Sequence, residues 1–325
     1  MKLKSLIIVV LMVAPLAMLF AGGAQEGGAK DQIHIGIDYV TFTSPYASAM
    51  VKGYKAYADE KGVKLTMLDS QLDIQKEAAN MDTLIGMRPD VIIIAPVDAE
   101  GSRATIKKAI DAGIPVICSN VTVRDASDLG VLAFTGPNCY LQAEAVAKET
   151  AKLTKVGNAV MITGTPGYSA AIDREKGFTD TIPSVAPGIK MLDIQSGNWM
   201  REEAQRVMSD YITKYGDKID IVYTHDDNMT VGAINALKAA GYTTEKRPII
   251  VSVGGMADGL PAVKDGWIDF TISQSPIADA QISIDVAIDI ANGAFTGPYK
   301  DFWMDMPPVT KENVQKFIDM GLQDL

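Results

Sequence analysis

Ten short runs of apolar and β-branched residues recur along the chain, and amphipathic segments of helical length separate most of them. Runs without polar alternation, such as 91–95, are typical of strands that helices cover on both faces. Strands that alternate with helices in this way predict βαβ units and parallel sheets. The predicted strands lie at 33–40, 63–68, 91–95, 114–118, 131–135, 159–163, 189–194, 219–223, 248–253 and 268–273.

The same alternation repeats on a coarser scale. About five βα units precede Gly136 and about five follow it, which predicts an α/β fold of two similar doubly wound lobes. The length of 325 residues agrees with two lobes, because a single hydrophobic core stops growing below this size. Gly62, Gly113 and Gly241 stand where helices are expected to end.

The amino end has the three parts of a signal peptide. Lys2 and Lys4 precede an apolar run at 6–20, and small residues follow that run. A membrane-spanning helix needs about 20 apolar residues, whereas this run is shorter and contains Pro15. We predict a signal peptide at 1–24, with an uncleaved anchor as the alternative. After cleavage, no stable membrane insertion is expected.

Cys118 and Cys139 are the only cysteines in the sequence. Because none lies near the amino end, a lipoprotein anchor has no thiol to attach to, and a soluble protein of the periplasm is expected. Export permits a disulfide between the two cysteines. The sequence does not fix their separation, so a bridge and a pair of buried thiols both stay open.

The chain is acidic, with 40 aspartates and glutamates against 30 lysines and arginines and a formal net charge of −10. Loss of Lys2 and Lys4 with the signal peptide leaves 28 basic residues against the same 40 acids, a net charge of −12. Such a chain has no basic patch to neutralise phosphates, so nucleic acid and anionic membrane are not expected as partners.

Polar and aromatic residues follow several predicted strands. In open α/β sheets, ligands bind beyond the carboxyl ends of the strands. Charged and aromatic residues stand on successive βα turns. They are Arg174 with its planar guanidinium, Trp199 with its ring, and the carboxylate pair of Asp226 and Asp227. A ring suits the apolar C–H face of a sugar, and the charged groups suit its hydroxyl rim. The pattern predicts a site for a sugar-sized polar ligand.

The segments YSAAIDREKGF (168–178), GNW (197–199) and THDDNMTVG (224–232) occur in the order and spacing of a known family. Over most of 31–305, the chain is similar to the type I periplasmic sugar-binding proteins of ABC transporters, the ribose- and galactofuranose-binding group with the LacI-like periplasmic fold. The resemblance implies a monomer that captures a sugar or polyol ligand and delivers it to an ABC transporter permease. It implies no cofactor, no metal and no catalytic residue.

The resemblance also implies where the lobes begin and end. The first lobe is expected at 31–136 and 275–303, and the second lobe at 137–274 and 304–325. Three crossings of the chain between the lobes would form the hinge. Closure is then a hinge motion in which the ligand binds the closed state more tightly than the open one.

The resemblance implies a role for each of seven ligand-binding residues. Arg174 is expected at the ring oxygen or hydroxyls of a sugar, Trp199 against its apolar face, and Asp226 at further hydroxyls. Gln274 lies near the hinge, where its amide can both donate and accept. The seven residues are Ser44, Tyr46, Asn120, Arg174, Trp199, Asp226 and Gln274.

Two positions depart from the ribose type. Asn120 and Val121 stand where that type has an Asp-Arg pair, and Gly254 and Gly255 stand where it often has a binding aspartate. A site built to bond a hydroxyl discriminates strongly against ligands that lack it, so these changes predict a different preferred ligand. A deoxy sugar, a furanose or a polyol fits this expectation, and the run at 222–241 is closer to the galactofuranose branch.

Three of the seven residues have a structural alternative that the sequence leaves open. Ser44, which precedes Pro45, has the residue type and position of a helix N-cap as well as those of a polar contact. Tyr46 could pack between the lobes, because an amphipathic ring suits either setting. Trp199 could cover the core instead of a ligand.

The charged residues have alternatives as well. Arg174 could form a surface salt bridge with Asp173 or Glu175. We interpret Asp227 as the N-cap of the following helix, where the helix dipole favours a carboxylate. Asp226 and Asp227 could also hold a metal, but the pair lacks a third well-spaced ligand.

Other functional classes fit the sequence less well. An enzyme is not expected, because the chain has two histidines, no nucleophile elbow and no nucleotide-binding loop. A sugar-responsive transcription regulator shares the fold but would need a helix-turn-helix where the signal peptide stands. An exported partner of a chemoreceptor or sensor kinase, or a binding protein for a nucleoside or a signalling furanone, remains as an alternative.

Overall fold

The computed structural model describes residues 32–321, so the signal peptide predicted at 1–24 lies outside the described residues. All ten predicted strands are present. Two further strands, β11 and β12, follow them. The strands are β1 (His34–Tyr39), β2 (Lys64–Asp69), β3 (Val91–Ala95), β4 (Val116–Ser119), β5 (Ala133–Gly136), β6 (Val156–Thr163), β7 (Gly188–Ser196), β8 (Ile221–Thr224), β9 (Ile249–Gly254), β10 (Phe270–Ser273), β11 (Lys300–Trp303) and β12 (Pro308–Thr310).

Helices separate most of the strands, as the amphipathic segments predict. The helix α1 begins after Ser44, whose Oγ accepts from the N–H of Ala47 over 3.2 Å, and it ends at Gly62. The cap predicted at Ser44 is therefore confirmed. The helices are α1 (Pro45–Lys61), α2 (Ile74–Met87), α3 (Arg103–Asp111), α4 (Ala126–Leu129), α5 (Cys139–Leu153), α6 (Ser169–Val185), α7 (Arg201–Tyr215), α8 (Asp227–Ala239), α9 (Gly259–Lys264), α10 (Pro276–Ala291) and α11 (Val314–Asp319).

The strands form two sheets of six. The first has the order β11-β5-β4-β3-β1-β2, and the second has the order β12-β10-β9-β8-β6-β7. All pairings are parallel except that between β10 and β12. The predicted α/β fold with two doubly wound lobes is confirmed.

The chain crosses between the sheets three times, after β5, after β10 and after β11. The first sheet takes its strands from 34–136 and 300–303, and the second from 156–273 and 308–310. The three crossings that the resemblance implies are present, and their action as a hinge stays a prediction. The residue at which each lobe ends stays a prediction.

Each sheet is covered on both faces, which explains the continuous apolar strands. In β3, Ile93 packs with Met50 of α1 and Ile284 of α10, while its neighbour Ile92 packs with Leu84 of α2 on the opposite face. Alternate side chains of a strand point to opposite faces, so a strand buried on both sides needs apolar residues throughout. Each fully buried side chain of this kind contributes about 1.5–3 kcal/mol.

Cys118 and Cys139 are both buried and not bonded to each other. The sequence left a disulfide and a pair of buried thiols open, and the structure has the two buried thiols. Burial raises the pKa of each thiol to about 11, so both stay protonated at neutral pH. Within 32–321, no helix combines the length and apolar character needed to cross a bilayer.

Candidate functional site

A cavity of about 520 Å³ lies between the two sheets. Its wall includes Tyr39 and Val40 at the carboxyl end of β1 and Val253 and Gly254 at that of β9. The cavity therefore lies where ligands bind in open α/β sheets. All seven residues expected from the sequence lie on its wall: Ser44, Tyr46, Asn120, Arg174, Trp199, Asp226 and Gln274.

Arg174 is a buried cation, with 5 % of its surface exposed. Its Nε donates to Oε1 of Gln142 over 3.0 Å, its Nη1 to the carbonyl of His225 over 2.7 Å, and its Nη2 to Oε1 of Gln274 over 2.5 Å. These contacts use three of the five N–H groups of the guanidinium, and two N–H groups lie outside them. The thiol of Cys139 is a further polar neighbour of the guanidinium. All three acceptors are neutral, so the positive charge is not cancelled by a contacting carboxylate of the described chain.

The surface salt bridge considered for Arg174 is wrong. Gly177 and Phe178 mark the inward face of α6, and Arg174 lies on that face, whereas Glu175 is exposed. Residues three and four apart share one face of a helix, while adjacent residues do not. The spacing to Gly177 and Phe178 therefore turns Arg174 toward the cavity.

The carbonyl of His225 accepts from Arg174, and the imidazole of His225 stays neutral. Its Nδ1 accepts from the N–H of Gly164 over 3.3 Å, which assigns the ring proton to Nε2. Burial, and then the charge of Arg174, hold the pKa of His225 well below its usual range. The histidine therefore brings no charge to the site at physiological pH.

Trp199 has backbone φ of 61°, in the left-handed region that bulky residues rarely adopt. The Nδ2 of Asn228 donates to the carbonyl of Trp199 over 2.9 Å and so supports this conformation. The indole ring lies 5.7 Å from the ring of Tyr168 and 5.8 Å from the guanidinium carbon of Arg174. Trp199 also packs against the cores of both lobes, so the core role and the cavity role both apply.

Gly164 lies directly under the indole of Trp199. A Cβ atom at this position would stand 1.9 Å from Cζ2 of the tryptophan. The ring can lie against the backbone only because residue 164 has no side chain. The tryptophan plane at the cavity wall therefore depends on this glycine.

Tyr46 and Asn120 form part of the wall on the first lobe. The Oη of Tyr46 donates to Oδ2 of Asp279 over 3.0 Å, and Nδ2 of Asn120 donates to the same oxygen over 3.1 Å. Asn120 has φ of 66°, a conformation that asparagine tolerates better than most residues. Tyr46 thus both packs in the interior and faces the cavity.

Asp279 was not among the residues expected from the sequence. It is fully buried on α10. The signal that could have revealed it is an acidic residue within the inward stripe of this helix, next to Ala280 and one turn before Ser283 and Ile284.

The expected N-cap at Asp227 is wrong, because Asp226 caps α8. The Oδ1 of Asp226 accepts from the N–H of Met229 over 2.7 Å. Asp227 is the first residue inside the helix and is 4 % exposed. From there its carboxylate points away from the free N–H groups of α8 and toward β9 and β10.

The carboxylate of Asp227 holds the turn after β9. It accepts from the hydroxyls of Ser252 and Thr271 over 2.7 and 2.9 Å and from the N–H groups of Gly255 and Met256 over 2.5 and 3.3 Å. These four donors offset part of the cost of burying the charge, and burial still raises the pKa of Asp227 above its usual value. The turn that they fix is part of the cavity wall.

Asp227 also explains the glycines that depart from the ribose type. A Cβ atom at Gly254 would stand 2.6 Å from Oδ2 of Asp227, and the φ of Gly254 is 147°. The carboxylate of Asp227 occupies the space that a side chain at position 254 would need. The glycine at position 254, which departs from the ribose type, therefore leaves room for the inward carboxylate of Asp227.

The model of the periplasmic binding protein domain family matches residues 35–294. The chain belongs to this family. The resemblance drawn from the motifs is thereby confirmed.

Individual relatives of this periplasmic binding protein cover most of its length. It is 33 % identical to the galactofuranose-binding protein of Escherichia coli, over 74 % of this chain and 77 % of the relative. It is 29 % identical to the xylitol-binding protein of Mycolicibacterium smegmatis, over 95 % of this chain and 89 % of the relative.

Solved structures show the same architecture. The crystal structure of a galactofuranose-binding protein matches with a TM-score of 0.83 at 26 % identity, covering 90 % of this chain and 99 % of the other. A solute-binding protein of an ABC transporter from Bacillus halodurans with bound myo-inositol matches with a TM-score of 0.82 at 28 % identity, covering 89 % of this chain and 98 % of the other.

This periplasmic binding protein has further polar wall residues that sequence reasoning missed. Arg201 begins α7, two residues after Trp199, and its Nη2 lies 2.5 Å from Oδ2 of Asp258. Its Nε donates to Oδ1 of Asn228 over 3.2 Å, the side chain that also supports Trp199. The sequence could have indicated Arg201, because it stands two residues after Trp199.

The carboxylates of the site do not form a metal centre in the described part of the chain. No three histidine, cysteine, aspartate or glutamate side chains converge in 32–321. Asp226 and Asp227 diverge instead, one toward the amino end of α8 and the other toward the turn after β9.

Proposed function

We propose that this protein is exported, captures a monosaccharide or polyol between its lobes, and delivers it to the permease of an ABC transporter. The observation that carries the proposal is the cavity wall. A buried guanidinium, an indole plane and a capping carboxylate converge there from α6, the turn after β7 and the start of α8. This combination suits a ligand with one apolar face and a rim of hydroxyls.

The relatives support the ligand class. The names of two of them give xylitol and galactofuranose as ligands, and one solved structure contains myo-inositol. All are neutral and rich in hydroxyl groups. The cavity volume of about 520 Å³ also falls within the range of ~300–1,000 Å³ that small-molecule sites occupy.

The contacts between the lobes support capture by closure. The N–H of Ala99 in the first lobe donates to the carbonyl of Gly167 in the second over 3.0 Å, and the N–H of Thr122 donates to Oγ of Ser169 over 3.1 Å. Such contacts are made and broken when lobes rotate about a hinge. A ligand that touches both walls shifts the equilibrium toward the closed state.

The chemistry of the site favours binding over catalysis. His225 stays neutral, and its Nδ1 already accepts from the N–H of Gly164. The thiol of Cys139 is buried, and burial raises its pKa to about 11. A general base near neutral pH and an activated nucleophile are what acid-base and covalent mechanisms require, and these two groups are neither. Burial raises the pKa of Asp226 to about 7, but its Oδ1 is held by the N–H of Met229 as the cap of α8, and no nucleophile stands beside it for a base to activate.

A thermal-shift panel on the chain after residue 24 tests the proposal. The panel contains xylitol, myo-inositol, D-ribose, D-galactose, L-arabinose, amino acids and nucleosides. A ligand that binds only the folded state raises the melting temperature, and we expect the rise to be confined to sugars or polyols. A rise with amino acids or nucleosides alone would contradict the proposed ligand class.

Export is tested separately by cell fractionation. We expect the full-length chain to yield a shortened protein in the periplasmic fraction. A chain deleted of residues 1–24 should remain in the cytoplasm at full activity in the ligand assay. Equal distribution of the two chains would contradict a signal peptide at 1–24.

A further inference from the structure

Asp279 lies behind the cavity wall, where no ligand is needed to explain its contacts. It is fully buried on α10 and receives hydrogen bonds from two wall residues, Tyr46 and Asn120, on the same Oδ2 atom. Its Oδ1 lies 3.5 Å from Oγ of Ser119. The acid therefore joins α10 to the start of α1 and to the end of β4.

A network of buried hydroxyl groups contacts the carboxylate of Asp279 through Ser119. Oγ of Ser119 lies 2.7 Å from Oη of Tyr54 and 2.8 Å from Oγ of Ser283, which in turn lies 2.7 Å from Oγ1 of Thr135. All of these residues are buried. Buried polar groups that satisfy one another are rigid and specify one arrangement. Asp279 therefore holds the side chains of Tyr46 and Asn120 in one orientation.

The fixed carboxylate determines which atoms the wall presents. Oδ2 of Asp279 accepts, so Tyr46 must direct its single O–H toward it, and Asn120 must direct an amide N–H. Both donors meet the same oxygen, so Oδ2 carries no proton while these two hydrogen bonds are made. Asn120 keeps its carbonyl Oδ1, an acceptor, and the second N–H of its amide.

Gln274 and Arg174 differ from Asn120 in the groups that they leave for a ligand. Oε1 of Gln274 already accepts from Nη2 of Arg174 over 2.5 Å and from Nε2 of Gln142 over 3.3 Å. Its remaining polar atom is the donor Nε2, which also contacts the hydroxyl of Tyr46. Arg174 has two further N–H groups outside its contacts with Gln142, His225 and Gln274. The site presents donors on the side of Arg174 and an acceptor at Asn120.

We propose that Asp279 is a positioning residue that keeps Oδ1 of Asn120 available to accept, so that a bound ligand places a hydroxyl donor against that oxygen. The inference rests on the proposed function and narrows it to ligands with a free hydroxyl at that edge. Anionic sugar acids are disfavoured wherever their carboxylate would meet Oδ1 of Asn120.

The test compares Asp279→Asn with Asp285→Asn, a matched control on the same helix. Asp285 also accepts from a tyrosine hydroxyl, that of Tyr57 over 3.0 Å, but it is exposed and lies outside the cavity. Each variant replaces one carboxylate oxygen by an amide group of equal size. Thermal unfolding of both variants confirms that they fold.

The first measurement needs no ligand. In protein labelled with ¹⁵N at asparagine, the side-chain amide of Asn120 is followed by NMR. A carboxylate acceptor moves an amide proton downfield, so Asp279→Asn should remove this displacement, while Asp285→Asn should leave it in place. An Asn120 amide resonance that is identical in wild type and Asp279→Asn would overturn the positioning role, whatever the protein binds.

The second measurement uses D-galactose, xylitol and the monodeoxyfluoro analogues of D-galactose, since fluorine replaces the O–H donor by an atom that cannot donate. In wild type, fluorination at one position should weaken binding by at least about tenfold. Asp279→Asn should reduce that one penalty, because its amide no longer forces the polarity of Asn120. Asp285→Asn should preserve it.

The outcomes separate the two proposals. Equal fluorination penalties in wild type and Asp279→Asn would overturn the assigned polarity while leaving sugar binding intact. Failure of wild type to bind D-galactose, xylitol or any other sugar or polyol of the panel would overturn the proposed function and the ligand part of this inference. The Asn120 resonance would still decide whether Asp279 positions that amide.

Discussion

Arg174 and Gln274 are joined by a hydrogen bond of 2.5 Å from Nη2 to Oε1, although 100 residues separate them in sequence. The bond connects α6 in the second lobe to the residue that follows β10, where the chain crosses to the first lobe. It orients the guanidinium without neutralising it. A positive charge held by neutral acceptors remains available to stabilise the partially negative oxygens of a ligand.

Arg174→Lys should weaken ligand binding by at least about tenfold, or ~1.4 kcal/mol. Lysine keeps the charge but cannot serve Gln142, His225 and Gln274 at once, because its ammonium lacks the planar fork. Calorimetry with the ligand found in the panel measures the loss. Lys176→Ala, on the exposed face of the same helix, should bind as wild type. Equal affinity of Arg174→Lys and wild type would show that the planar guanidinium of Arg174 is not needed for ligand binding.

Gly164→Ala should abolish ligand-induced stabilisation while the chain still folds. The added methyl would stand 1.9 Å from Cζ2 of Trp199, so the indole must leave the cavity wall. Gly86→Ala is the control, since no atom lies within 4 Å of the added methyl, and it should stabilise α2 by about 0.5–1 kcal/mol. Thermal shifts with and without ligand measure both effects. Normal binding by Gly164→Ala would show that the position of the indole does not matter.

Asp226→Asn and Asp227→Asn should have different consequences although the residues are adjacent. Asparagine is as good an N-cap as aspartate and carries no charge to bury, whereas burial raises the pKa of Asp226 to about 7. Asp226→Asn should therefore not lower the free energy of unfolding and should mainly weaken binding. Asp227→Asn places an amide group among four donors and should cost about 3 kcal/mol. Urea denaturation and calorimetry separate the effects. A similar loss of stability in both variants would contradict the assignment of the cap to Asp226.

Asp38 should make the stability of the protein depend on pH. Burial raises its pKa to about 7, although hydrogen bonds from Ser70 and Asn80 oppose the rise. The folded state therefore holds this proton more tightly than the unfolded state, in which the pKa is about 3.9. The stability that Asp38 contributes is complete below about pH 4 and is lost as the pH rises through about 7.

The comparison with Asp38→Asn isolates this effect. His34 and His225 have lowered pKa values and act in the opposite direction, so the pH dependence of wild type alone is a sum of several groups. The free energy of unfolding of wild type relative to Asp38→Asn should fall between about pH 5 and about pH 8, by up to ~1.4 kcal/mol per pH unit. A difference that is constant or rises over this range would contradict a raised pKa.

The strands that the sequence predicts are those whose composition requires two covered faces. β3 is apolar throughout, and its predicted bounds of 91–95 match the structure. β11 has the sequence KDFW and β12 the sequence PVT. Neither has a pattern of its own, and each is a strand because it pairs with an edge, β5 in one sheet and β10 in the other.

The sequence by itself determined the alternation of strands and helices, the duplicated doubly wound plan and the polar residues that follow the strands. Parallel strands bring their carboxyl ends to one edge, so residues such as Arg174, Trp199 and Asp226 converge for reasons that local patterns reveal. The tertiary structure alone decided that Asp279, 233 residues from Tyr46 and 159 from Asn120, supports both. It also decided which of Asp226 and Asp227 caps α8. Both outcomes depend on donors supplied by distant segments, and a local pattern does not contain the position of its distant partners.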